Sequence, residues 1–124
     1  MIVLTDNEDR ARRMLIQAAA EGHTIPYGEL PGGRGHVGQY LHHIADFEAD
    51  HRRPPLTALA VRKQTGRPGD GFRVAMERVD YARPGESDDD LWQRALADVF
   101  AHWQSVDRPQ KGGTGFTTRA SRAT

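Results

Sequence analysis

The apolar positions of Asp6–Glu21 recur at helical spacing, with Ala11, Met14, Leu15, Ala18 and Ala19 on one face. Acidic residues fill the first turn and Gly22 supplies a stop, so the pattern predicts a helix that ends there. Residues 24–30 read as a short second helix, capped by Thr24 or Ile25, with Pro26 tolerated in its first turn. Residues 31–35 are dense in helix breakers and predict a turn. Val37, Tyr40, Leu41, Ile44 and Phe47 make one apolar face of a third helix over 36–50, which Pro54-Pro55 ends. Two apolar runs follow, 56–61 and 72–77, joined by a basic, Gly/Pro-rich loop closing on Gly69-Asp70-Gly71. This is the pattern of a β-hairpin with a cationic tip. After a loop over 81–86, Ser87 is a candidate N-cap and Asp88, Asp89 and Asp90 suit a first turn. Leu91, Trp92, Ala95, Leu96, Val99, Phe100 and Trp103 then give a final helix over 88–104 a broad apolar face.

The order is helix, short helix, turn, helix, hairpin, helix. It predicts an α+β, winged helix-turn-helix-like fold: three N-terminal helices, a two-stranded β-hairpin wing and a C-terminal helix. The chain has 124 residues, enough for one modest core. Residues 1–107 are expected to form that domain. Residues 108–124 are Gly, Thr, Ser, Arg and Lys with one aromatic and read as a disordered basic tail. No apolar run approaches a membrane span, and residues 1–10 lack a secretory pattern, so the expected location is cytoplasmic. The absence of cysteine excludes disulfides, zinc–thiolate sites and thiol catalysis.

The formal net charge of zero conceals an asymmetry. All 17 acidic residues lie at or before Asp107, while the tail carries only Arg108, Lys111, Arg119 and Arg122. Between positions 52 and 73, Arg52, Arg53, Arg62, Lys63, Arg67 and Arg73 face Asp70 as the one acid. Such a stripe suits a phosphate backbone whatever the total charge. In a winged helix the third helix enters the major groove by its front, which offers Arg34, His36 and Gln39, with His43 further along. Arg can read guanine and Gln can read adenine. A His43/Asp46/Asp50 face could instead ligate a metal, although no H-E-x-x-H signature is present. The glycines of 66–71 are read as a turn's need for positive φ, because no phosphate-cradling motif precedes a helix there. Trp92 and Trp103 are core candidates, and the helix that bears them could serve a homodimer.

Two resemblances bear on this reading. Thr24-Ile25-Pro26-Tyr27-Gly28-Glu29-Leu30, then Val37-Gly38-Gln39-Tyr40-Leu41, then Ala60-Val61 through Gly69-Asp70-Gly71-Phe72 resemble the C-terminal domain of methylated-DNA–protein cysteine alkyltransferases and alkyltransferase-like proteins. The resemblance implies a DNA-binding scaffold and places Tyr27 at that family's DNA-contacting tyrosine. It does not carry over the chemistry: the Pro-Cys-His-Arg motif is missing, and Gly35 stands where the family has its intercalating arginine. The run from Pro54 to Val61, with Lys63, Thr65-Gly66, Pro68-Gly69 and Gly71-Phe72, is similar to small uncharacterised bacterial proteins and to appendages of HNH-type nucleases. That similarity implies a nucleic-acid context without residue roles.

The expectation is a non-enzymatic DNA-binding protein, duplex favoured, with no catalytic residue, metal or cofactor assigned. Arg62, Lys63 and Arg67 would clamp the backbone, helped by Arg52, Arg53 and Arg73. Arg34, His36, Gln39 and His43 would face bases, and Tyr27 would support the strand. The alternatives are a small metal-dependent hydrolase or nuclease accessory subunit, and a protein–protein module of antitoxin or immunity type.

Overall fold

The computed structural model describes residues 3–31 and 34–105, and of residues 34–39 the backbone alone. Its elements are α1 (Asp6–Glu21), β1 (Ile25–Pro26), α2 (Arg34–Asp50), β2 (Ala60–Val61), α3 (Gly71–Arg78) and α4 (Asp88–Ser105). Short 3-10 turns at Tyr27–Glu29 and Leu56–Leu59 precede α2 and β2. The tail expected to be disordered lies outside the described residues.

The winged helix-turn-helix reading is corrected by this architecture. Among the described residues there is no antiparallel hairpin and no wing. The sheet is a two-residue parallel pair, with Ile25 opposite Ala60 and Pro26 opposite Val61. Parallel strands need a long crossover, and the segment carrying α2 provides it. Residues 24–30, expected to be the second of three N-terminal helices, split into β1 and a single 3-10 turn. Residues 72–77, expected as the second hairpin strand, lie in α3. Phe72, Ala75, Met76 and Val79 fit helical spacing as well as Phe72, Val74 and Met76 fit alternation. Packing chose the former: Ala75 and Met76 are buried, while Val74 is 60% exposed.

The helices that did match the sequence pattern are bounded by local chemistry. Thr5 and Glu8 form a capping box at the start of α1, and Gly22 adopts φ +84 at its end. Ser87 Oγ accepts from the Asp90 N–H (3.0 Å) at the start of α4.

The centre of the molecule is the apolar run 56–61. Leu56, Ala58, Leu59 and Ala60 are fully buried, between α1, α2 and α4. One cluster joins Leu15, Ala18 and Ala19 of α1 with Ile44 of α2, Leu56, Leu59 and Val99 of α4. A second joins Ala58 and Val61 to Trp92 and Ala95. Trp92 Nε1–H donates to the Ala58 carbonyl (2.9 Å), so the buried run keeps a polar partner. The apolar face of α4 is thereby occupied within the chain, with Leu91, Trp92, Ala95 and Val99 buried. No described helix is long and apolar enough to cross a membrane.

Candidate functional site

A basic loop connects β2 to α3, and it is closed by its own hydrogen bonds rather than by a partner strand. The Arg62 N–H donates to Arg67 O and the Gly66 N–H to Arg62 O, both at 2.8 Å. Gly66 sits at φ +69, a conformation that a residue with Cβ rarely adopts. The Arg67 N–H also reaches Thr65 Oγ1 (3.1 Å). The far end is tied to the β1 region: the Gly69 N–H donates to Tyr27 Oη (2.8 Å). Tyr27 therefore pins this loop, a role its sequence position did not reveal.

The loop borders two spaces. One is an open groove of about 730 Å³ between Pro26, Tyr27, Gly28 and Glu29 on one side and Arg62, Lys63 and Gln64 on the other. The other is a smaller cavity of about 290 Å³, lined by Tyr27, Arg62, residues Gly69 to Phe72, and Leu41 and His42 of α2.

The cations of the expected stripe do not share one fate. Arg53 donates to Glu48 Oε1 (2.7 Å), and Arg12 of α1 holds the other carboxylate oxygen. Glu48 is completely buried, and both guanidinium groups lie over the Phe47 ring, 5.1 and 5.6 Å from its centroid. Arg67 pairs with Asp89 of α4 and lies 4.9 Å over the Trp92 ring. Arg73 pairs with Asp88 and, at 3.5 Å, with Glu77, and also donates to the Glu86 carbonyl. Arg62 has only Asp70, at 3.9 Å, as a carboxylate partner among the described residues. The side chains of Lys63 and Arg52 have none there. Arg52 sits at φ +57, just past the end of α2. The structure thus leaves Arg62 and Lys63 together on the loop and commits Arg53, Arg67 and Arg73 to intramolecular pairs.

The remaining expected residues divide similarly. His43 donates through Nδ1 to Glu8 Oε2 (2.7 Å), so it braces the capping box of α1. The Glu8 carboxyl is held below its ordinary value: burial pushes it up, but the Thr5 and His43 hydrogen bonds outweigh that. Asp46 pairs with Arg78 (2.7 Å), which also reaches His42 and so ties α3 to α2. The His43/Asp46/Asp50 trio is not drawn together, and the described residues contain no cluster of three or more metal-ligating side chains that could hold an ion. The Arg34, His36 and Gln39 side chains lie outside the described residues, although α2 begins at Arg34.

The acids that neutralise Arg53, Arg67 and Arg73 lie at different distances along the chain: Glu48 five residues before Arg53, Glu77 one turn after Arg73 on α3, and Asp88 and Asp89 at the start of α4. The acidic first turn of α4 could serve a helix dipole or a neighbouring loop equally well. Comparison with protein-family models, with curated proteins and with solved structures finds no match to this chain.

Proposed function

We propose that this protein binds nucleic acid, duplex DNA favoured, without catalysing a reaction on it. The contact face is the groove where Arg62 and Lys63 stand opposite the Tyr27–Glu29 turn. One observation carries the reading: these two cations project from an internally bonded loop and have no close carboxylate partner among the described residues. Cations already closely paired would have to give up a protein partner to meet phosphate; Arg62 would give up only its long contact with the exposed Asp70. The rigid loop also reduces the ordering cost of binding. Arg52 is a further uncommitted cation for backbone contact. Arg34, His36 and Gln39 are the proposed base-reading residues, because α2 follows the same turn and its Leu41–His42 stretch borders the adjoining cavity. Arg53, Arg67 and Arg73 drop to a structural role. Glu29 on the groove's edge disfavours phosphate close to Gly28 and directs the backbone toward Lys63.

The test is fluorescence anisotropy of a short labelled duplex, and of the matching single strand, over a range of salt. Binding should weaken steeply with salt, and Arg62→Ala/Lys63→Ala should lower the slope by about 2, roughly one per phosphate contact. No binding to either probe at low salt, or binding that the double variant leaves unchanged, would overturn the proposal.

A further inference from the structure

The smaller cavity has a composition that gripping a backbone does not require. It holds about 290 Å³. One end is polar. A Cβ on Gly69 would lie 3.2 Å from Tyr27 Oη and 3.3 Å from both Nε and Nη2 of Arg62. The missing Cβ lets a phenol and one edge of a guanidinium converge on a single backbone position. Tyr27 Oη already accepts from the Gly69 N–H, so its own proton remains to be donated. Arg62 can only donate. Leu41, Phe72, Ala75 and Pro68 supply apolar wall, with His42 and Asp70 as further polar members of the lining. Thr57 also lines the cavity; it is 5% exposed, and its Oγ1 has no hydrogen-bond partner among the described residues. A buried hydroxyl without a partner is costly and calls for a reason.

We infer that this cavity is a binding site for a compact monocarboxylate with an apolar body, such as a single ring or a short branched chain. Converging phenol and guanidinium donors match the two oxygens of a carboxylate. The apolar walls match a hydrocarbon body rather than a bare ion. The volume suits about ten non-hydrogen atoms, taking about 30 Å³ as the share of one water in the liquid. Asp70, fully exposed and 3.9 Å from Arg62 Nη2, limits the charge: Arg62 offers one positive charge, and the repulsion from Asp70 weighs more on a dianion than on a monoanion. The site shares Arg62 with the proposed nucleic-acid face but does not rest on that reading.

The experiment is an NMR titration of the full chain with benzoate, with benzamide and inorganic phosphate run alongside. Benzoate should shift the resonances of Leu41, Phe72 and Ala75. Arg62→Gln and Tyr27→Phe should each weaken it about tenfold or more, the size expected for losing a hydrogen bond to a charged group. Gly69→Ala, which pushes both donors aside while keeping them, should weaken it too, and the same spectra report whether each variant is folded. Lys63→Ala should leave benzoate affinity unchanged while reducing nucleic-acid affinity, so the two readings fail separately. The inference is overturned if benzoate moves none of these resonances, if benzamide binds as tightly, or if phosphate displaces benzoate at equal concentration.

Discussion

Arg53 and Arg62 belong to the same basic stretch of chain and end in opposite surroundings. Arg53 reaches a carboxylate with no solvent exposure, shares it with Arg12, and lies with Arg12 over the Phe47 ring. Arg62 stands half-exposed beside Lys63 on a glycine-containing loop, with its one carboxylate partner at 3.9 Å. At Glu48 the three charges bind α1, the end of α2 and the following segment into one unit, and none is available to a ligand. On the loop the charges contribute little to the fold and remain available to a phosphate or carboxylate. Closely paired and unpaired cations are thus the same residue types, separated by where the nearest carboxylate happens to be.

The sharpest way to break this contrast is to remove the charge at its buried end. Glu48→Gln leaves two guanidinium groups around a neutral amide and should cost about 3 kcal/mol, the lower end for disrupting a buried ion pair. Urea denaturation measures it, and a loss under 1 kcal/mol would put Glu48 in the same class as the surface pairs. Arg67 is an intermediate case, an exposed pair with Asp89 that also covers Trp92. Arg67→Ala should cost about 1 kcal/mol in the same assay, more from lost contact with the ring than from lost charge.

Glu86 adds a pH arm. Its hydrogen bonds from Arg94 hold the carboxyl down at about 2, below its ordinary 4.5. A carboxyl depressed in the folded state contributes stability above the unfolded value, and that contribution is lost as pH falls through the folded value. The melting temperature of the wild type should therefore decline between about pH 4.5 and 2 more steeply than that of Glu86→Gln. Equal slopes would mean that the Arg94 contact does not persist in solution. The smallest expected effect is at the loop: Arg62→Ala/Lys63→Ala should change stability by less than about 0.5 kcal/mol while changing ligand affinity. A larger loss would show that these cations, like Arg53, are part of the fold.

Three helices were legible in the sequence, but the fold class was not: the expected antiparallel wing is a two-residue parallel pair followed by a helix. The apolar repeats of α1, α2 and α4, the stop at Gly22 and the cap at Ser87 are local signals, and each sits where local hydrogen bonding needs it; the capping box at Thr5 emerged only with the structure. The stretch from Leu56 to Arg78 was not legible in the same way. A continuous apolar run such as 56–61 carries no periodicity, so a full strand could not be told from the buried 3-10 turn at Leu56–Leu59 that leads into the two-residue β2. Residues 72–77 satisfied two periods at once, and only burial of Ala75 and Met76 against α2 and α4 selects the helix. The residues of the candidate site were visible before the structure, Arg62 and Lys63 by the composition of the loop and Tyr27 by its place in a resemblance. Which cations are paired was not visible, because Asp88 and Asp89, which pair with Arg73 and Arg67, sit on another element.

Local sequence is enough to place the ends of α1, the C-terminal end of α2 and the start of α4, to exclude disulfide and thiol chemistry, and to show a basic glycine loop near the middle of the chain. Hydrogen bonds between near neighbours and side-chain periodicity suffice for that. Only the tertiary structure decided that the loop is no wing, that Gly69 draws Tyr27 and Arg62 together, and that Arg53, Arg67 and Arg73 are already engaged. Those outcomes depend on which distant groups packing brings within a few ångströms, and over such distances charge and burial, rather than residue type, set what a side chain is left to do.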